Sequence, residues 1–362
     1  MNRPGFPIET PGAWKSAEID FAKEGLHILG ADDLREIAAA LVHLLSLGDL
    51  DLPDITPASF PLGRMGDFMR RLPERLATGR GFLMLRGLQR EKYSDDDMAR
   101  IYLGLGSYIG APMVQSYLGD VLGHVIDVSD VEPKSRGYRK GGGLLMHTDS
   151  CDVVALMCLR TAVAGGESRI ASALAVFNEV VENRPDVFDT LARGLYLKRA
   201  DEDGRHATRT YSAERVPFIT RDNDGVVCYL PTGYARLAEK SGERPYTKEE
   251  SEALYHVRKI AAAPEFYIDM GFKEGDIQFL NNRTIVHGRT DYTDADAIPD
   301  RRHLLRLWMT VPQWPEMPRS QVFHTAEDHR LWGQHRKPYS EFPSRHDAKL
   351  EELRTQNVRM MD

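Results

Sequence analysis

His147 and Asp149, two places apart in the run LLMHTDS, are residues whose types and spacing could do chemistry. In an extended segment, side chains at i and i+2 leave the same face. An imidazole and a carboxylate would therefore converge beside apolar neighbours, a costly arrangement unless something binds them. A His-x-Asp pair by itself is expected by chance in a chain with 12 histidines, and a hydrogen-bonded core pair is its plain alternative. Its weight comes from a later stretch, FLNNRTIVHGRTDYTDADAIPDRRHLLRLWMTV, in which His287 ends the short apolar run TIV.

Two imidazoles and one carboxylate are the ligand set of non-haem Fe(II) oxygenases, which fill one face of an octahedron and leave three positions open. A structural zinc site would instead close its shell, usually with cysteine. Beyond His287 comes an arginine-rich strand. Counting in twos, Arg302, Leu304, Arg306 and Trp308 share one face, and His303, Leu305, Leu307 and Met309 share the other. Parity thus turns His303, the nearest rival ligand, away from both arginines. A buried guanidinium can grip the far end of a dicarboxylate through paired charge-assisted hydrogen bonds. Four strand residues span about 13 Å at roughly 3.3 Å each, so Arg302 and Arg306 are expected to serve different groups.

These residues need elements to position them. ADDLREIAAALVHLLSLG carries apolar residues at helical spacing, with Asp32 or Asp33 as its cap, and a second helix is expected near residues 64 to 79 despite Pro73. GFLMLRGL follows as a buried strand, and YSDDDMARIYLGLG as a helix with Ser94 and Asp97 in capping register. From about residue 120 short strands dominate: LGHVIDVS, LLMHTDS, VVALMCLR and ESRIASA. The polar, glycine-rich DVEPKSRGYRKGGG between the first two reads as a loop, with Gly141 to Gly143 either lid hinges or simple loop residues. Helices are expected after Ser172, over PDVFDTLARG and after Thr247; strands over LYLKRA, RTYS, EFYIDM and a hairpin turning at Asp224-Gly225. Short strands with interrupting helices and no βαβ rhythm predict a mainly β sandwich or jelly roll with flanking helices. Residues 1–80 are expected as a helical segment packed on the core, 81–312 as the catalytic domain, and 313–362 as a tail over the surface.

The chain resembles the TauD/TfdA family of Fe(II)- and 2-oxoglutarate-dependent dioxygenases over roughly residues 80 to 312. HTD at 147–149, GGES at 165–168, GDIQFLNNRTIVHGRT at 275–290 and RRHLLRLW at 301–308 carry the likeness. The resemblance implies a double-stranded β-helix core of cupin-like jelly-roll type. It also implies iron held by His147, Asp149 and His287, and 2-oxoglutarate held at its distal carboxylate by Arg302 with help from Ser168. Arg306 is implied near the inner carboxylate or an anionic group of the substrate, and Gln115 where some amino-acid hydroxylases keep a substrate contact. The reaction implied consumes O2 and 2-oxoglutarate, releases succinate and CO2, and most often hydroxylates an unactivated C–H bond. The long acidic interval between His287 and Arg302 is similar to that of the family's amino-acid hydroxylases, and Arg306 and Gln115 lean toward a small carboxylate-bearing or amino-acid-like substrate.

Composition narrows the rest. A net charge of -7, from 54 acids against 47 bases, argues against nucleic acid. No apolar run reaches the roughly 18 residues of a membrane span, and MNRPGFPIETPG lacks a secretory apolar core, so the cytoplasm is expected. Cys151, Cys158 and Cys228 form no disulfide framework and read as reduced, buried thiols. Oligomeric state stays open, a homo-oligomer included. Two other classes remain: a metal-dependent hydrolase or isomerase on a similar scaffold, which needs no dicarboxylate clamp, and a degenerate binding protein without catalysis.

Overall fold

Strand alternation sorts the side chains of this chain into three apolar layers, and the site lies in the middle one. The computed structural model describes residues 6–48, 50–130, 136–222 and 225–334. A seven-stranded sheet runs in the order Leu26–Ile28, Phe82–Arg86, Ile277–Asn281, Val153–Arg160, His303–Thr310 and Ala111–Pro112, with Leu122–Val125 also paired to His303–Thr310. The first pair is parallel and the others antiparallel. A four-stranded antiparallel sheet runs Tyr267–Met270, Ser168–Ser172, Ile285–Arg289 and Leu144–His147.

On the large sheet, Leu83, Leu85, Met157, Phe279, Leu305, Leu307 and Met309 pack outward against the helices Ala31–Ser46, Arg64–Thr78 and Asp95–Gly106. On the small sheet, Met146, Ala171 and Val286 pack outward against Ala173–Asn183, Pro185–Arg193 and Lys248–Ala261. The alternate residues meet between the sheets: Phe82, Met84, Val154, Leu280 and Trp308 from one, Ile170, Met270 and Ile285 from the other. Helix outweighs strand along the described residues, so the chain is a mixed structure with sheets at its centre rather than mainly β. No helix among the described residues is long and apolar enough to cross a membrane.

Local sequence signals act as expected at several ends. Ser94, Ser172 and Thr247 cap their helices, and Ser94–Asp97 and Thr247–Glu250 close capping boxes. The first long helix differs: Gly30 is its N-cap, and Asp33 reaches back to accept from the Gly30 N–H at 2.9 Å. LYLKRA and RTYS form only the isolated bridges Leu195↔Val216 and Lys198↔Tyr211, because these segments follow the helices rather than a sheet edge. Ile219–Asp222 and Gly225–Cys228 form the expected hairpin; residues 223–224 of its turn lie outside the described residues. The N-terminal region adds a strand, Leu26–Ile28, to the large sheet as well as helices. Of the C-terminal segment, residues 335–362 lie outside the described residues, while Ala326–Gly333 is helical. Cys151, Cys158 and Cys228 are free and buried.

Candidate active site between the sheets

His287 sits on the inner face of Ile285–Arg289 and pairs in register with His147 at the end of Leu144–His147. The strand stops at His147, so alternation does not place Asp149. Backbone clamps do so instead. Thr148 N–H donates to the Leu230 carbonyl at 3.0 Å, and the Leu230 N–H donates to Thr148 Oγ1 at 2.8 Å. Asp149 N–H donates to Asn282 Oδ1 at 2.9 Å, while Asn282 Nδ2 donates back to the carbonyls of Asp149 and Cys151 at 2.7 and 2.8 Å. Asn282 lies in the turn between the strands Ile277–Asn281 and Ile285–Arg289, so the turn that delivers His287 also holds Asp149.

His147 Nε2 lies 3.7 Å from Asp149 Oδ1, and His287 Nε2 lies 3.6 Å from Asp149 Oδ2. The rings are 4.5 Å apart at 44°, and one donor atom from each of the three residues falls within 4.8 Å of the others. These atoms converge at separations too long for hydrogen bonds, as donors around a shared cation would. The Leu145 carbonyl lies 2.8 Å from His147 Nδ1, which fixes the proton there and turns the Nε2 lone pair toward the centre. Burial, then the neighbouring His287, lowers the His147 pKa to about 4, so its imidazole is neutral and able to ligate. Burial alone would raise the Asp149 pKa, but the Arg306 guanidinium, 3.6 Å away, and His287 hold it well below the usual carboxylate range. Trp308 Nε1 donates to Asp149 Oδ2 at 2.8 Å.

His147, Ser168, His287, Arg289, Arg302 and Arg306 line one cavity between the sheets, with Leu156 and Leu304 among its apolar walls. Arg302 is buried, and its Nη2 donates to the Gly166 carbonyl at 3.0 Å. Its Nη1 is buried without a hydrogen-bond partner among the described residues. Burial brings its pKa down to about 10, so it stays charged at neutral pH. Gly166 explains the GGES turn: its φ is +78°, and a Cβ there would meet Arg302 Nε at 2.9 Å. Ser168 Oγ donates to Gln278 Oε1 at 3.0 Å across the gap between sheets.

Arg306 stands at the metal end, its Nε donating to Gln115 Oε1 at 2.8 Å and its guanidinium lying over Tyr138 and Trp308 at 4.5 and 4.8 Å. Gln115 Nε2 donates to the carbonyls of Val121 and Arg306 at 2.6 and 2.8 Å. Gln115 is therefore engaged with Arg306 and does not line the cavity. His303 faces away from the cavity and lies 2.8 Å from His124 Nδ1 through its Nε2. Sequence reasoning attached no role to Asn282, Trp308 or Arg289. The doubled asparagine at the strand break and the parity of RHLLRLW were the available signals, but neither reveals a partner far along the chain.

The model of the family described as "Taurine catabolism dioxygenase TauD, TfdA family" matches residues 51–308. The taurine hydroxylase-like protein SAT17 of Stachybotrys chartarum is 30% identical over 352 residues, covering 90% of this chain and 88% of that protein. FR-33289 synthase of Streptomyces rubellomurinus is 27% identical over 329 residues, covering 88% and 94%. Among solved structures, asparagine oxygenase in complex with Fe(II), 2S,3S-3-hydroxyasparagine and succinate shares the fold, with a TM-score of 0.59 at 18% identity over 79% of this chain and 93% of that one. With a family match spanning more than half its length, and a relative at 30% identity along nearly all of it, the chain belongs to the TauD/TfdA family of dioxygenases.

Proposed function

We propose that this Fe(II)- and 2-oxoglutarate-dependent dioxygenase hydroxylates an unactivated carbon of a small, carboxylate-bearing or amino-acid-like molecule. One observation carries the reading: a His147–Asp149–His287 donor set and the buried Arg302 guanidinium, with an orphaned N–H, border the same cavity. A metal fits the first, since a neutral imidazole with its far nitrogen anchored and an ionised carboxylate are what a divalent ion of this class prefers. A dicarboxylate fits the second, because a buried cation with an unmet donor calls for an anion. We read the facing sheets as the halves of a double-stranded β-helix, which the shared interior of Phe82, Trp308, Ile170 and Ile285 supports.

Bound iron would supply the electron-transfer chemistry that couples decarboxylation of 2-oxoglutarate, by O2, to oxidation of the substrate. The chain's own residues do the rest. His147, Asp149 and His287 would hold the ion; Arg302, with Ser168 beside it, would hold the distal carboxylate. Trp308 orients the Asp149 carboxylate through Oδ2. Gln115 acts through Arg306, whose guanidinium it aims toward Asp149 and the cavity. Leu156 and Leu304 keep that cavity poor in water. A small anionic substrate is supported by Arg306 at the metal end and by relatives named uridine-5'-phosphate dioxygenase, one of them 29% identical over 184 residues. The buried free thiols support work in a reducing compartment, the cytoplasm. A hydrolase or isomerase would leave the Arg302 donor without purpose.

The test is a screen of amino acids and small organic acids for substrate-stimulated succinate release by the Fe(II)-loaded enzyme. Anaerobic titration with 2-oxoglutarate is expected to produce the weak visible absorption band of the iron chelate. No band, and no succinate above the substrate-free rate with any acid, would overturn the proposal.

A further inference from the structure

Arg289 is the residue of this cavity for which the reading above has no use. It lies two places after His287, on the same inner face of its strand, and opposite Ser168 in register. Its Nε donates to the Gly142 carbonyl at 2.9 Å, and its Nη2 donates to the carbonyls of Gly142 and Lys140 at 2.6 and 2.8 Å. Its Nη1 is buried and has no partner among the described residues, as is true of Arg302 Nη1. Both guanidiniums lie against the same ring, Tyr292, at 4.7 and 5.5 Å, and both border the same cavity. The charge of Arg289 helps depress the pKa of Arg302. Asp127, Asp291 and Asp294 soften the field around Arg289, but no ion pair joins any of them to Arg289 or Arg302 among the described residues. Two buried like charges at the border of one cavity, each with one unused donor, are unfavourable until an anion joins them.

We propose that Arg289 is a second anchor for the distal carboxylate of 2-oxoglutarate and that it couples co-substrate binding to the glycine-rich segment before His147. The inference rests on the 2-oxoglutarate reading above. The same side chain that offers Nη1 to the carboxylate grips Lys140 and Gly142 with its other nitrogens. Beside that grip, the Gly143 N–H donates to Asp291 Oδ1 at 2.6 Å. Tyr138, on the same stretch, covers Arg306 at the metal end. A carboxylate that immobilises the Arg289 guanidinium therefore also steadies the wall carrying Tyr138.

The experiment titrates 2-oxoglutarate, and separately pyruvate, into anaerobic Fe(II)-loaded protein by calorimetry, and follows backbone hydrogen exchange at Gly141 to Gly143 with and without each acid. Pyruvate has the same 2-oxo acid head but no distal carboxylate. In the wild type, 2-oxoglutarate is expected to bind more tightly and to slow exchange at these glycines, and pyruvate to leave exchange unchanged. Arg289→Gln is expected to weaken 2-oxoglutarate about tenfold or more, leave pyruvate within about twofold, and abolish the slowing. Arg289→Lys, which keeps the charge but not the fork, is expected to hold 2-oxoglutarate within about threefold and still lose the slowing. Unchanged pyruvate binding in both variants shows that fold and metal site are intact. An Arg289→Gln protein that binds 2-oxoglutarate like the wild type, or loses both acids equally, would overturn the anchor. Slowing that survives in both variants would overturn the coupling. A wild type that fails to distinguish the two acids would instead remove the 2-oxoglutarate reading itself.

Discussion

The two sheets divide the labour of the site. The small sheet and the residues just past its edge bring His147, His287 and Asp149 together, each tied by backbone or neighbouring side chains. The strand His303–Thr310 of the large sheet brings Arg306 and Trp308, with Arg302 immediately before it. Around His147 and Asp149 the polar atoms are directed by partners, Asp149 above all, while His287 Nδ1 is buried with no partner among the described residues. At the other end, Arg302 and Arg289 each keep a donor in reserve. The difference teaches that the carboxylate at one end is satisfied within the protein, whereas the arginines at the other hold unmet donors, as the proposed anion would require.

The comparison breaks most completely at its shared residue. Asp149→Ala is expected to reduce metal-dependent succinate formation below detection and to remove Fe(II) binding measured by equilibrium dialysis; wild-type behaviour would remove Asp149 from the metal site. Arg302→Leu attacks only the anion end, and should weaken 2-oxoglutarate by roughly 10- to 100-fold, the worth of lost charge-assisted bonds, with Fe(II) affinity unchanged. Parallel losses of metal and 2-oxoglutarate would show that the two ends are not separable. Asn282→Ala removes three buried hydrogen bonds from the turn between the sheets, so a loss of about 2–3 kcal/mol in denaturant unfolding is expected, together with weakened metal binding. Stability equal to wild type would mean that Asn282 does not hold Asp149 in place. The smallest effect sharpens the division. Gln115→Leu frees Arg306 without touching ligand or anion, so the KM for the prime substrate should rise by about tenfold at an unaltered 2-oxoglutarate KM. A shift in the latter alone would assign Arg306 to the co-substrate.

Much of this site is written in short-range sequence, because ligand type and strand parity are local properties. His147, Asp149, His287 and the two arginines could be picked out from spacing, from the alternation of RHLLRLW and from the likeness of four motifs to one family. The same parity correctly turned His303 outward, to His124. Capping pairs such as Thr247–Glu250 were equally legible, since a cap is settled within four residues. Strands at LYLKRA and RTYS were not, because a strand needs a partner and periodicity does not name one.

What the sequence alone determined, then, is which residues have the chemistry for metal and anion, and which way each strand faces. Only the tertiary structure decided how Asp149 is held, because its strand ends at His147 and a turn 133 residues away does the holding. Pairing of His303–Thr310 with Ala111–Pro112 and Leu122–Val125 likewise brought Gln115 to Arg306, and stacking of the sheets brought Arg289 to the cavity it shares with Arg302. The physical reason is common to both: hydrogen bonds and like-charge proximity depend on distances between segments, and spacing along a chain carries no record of them.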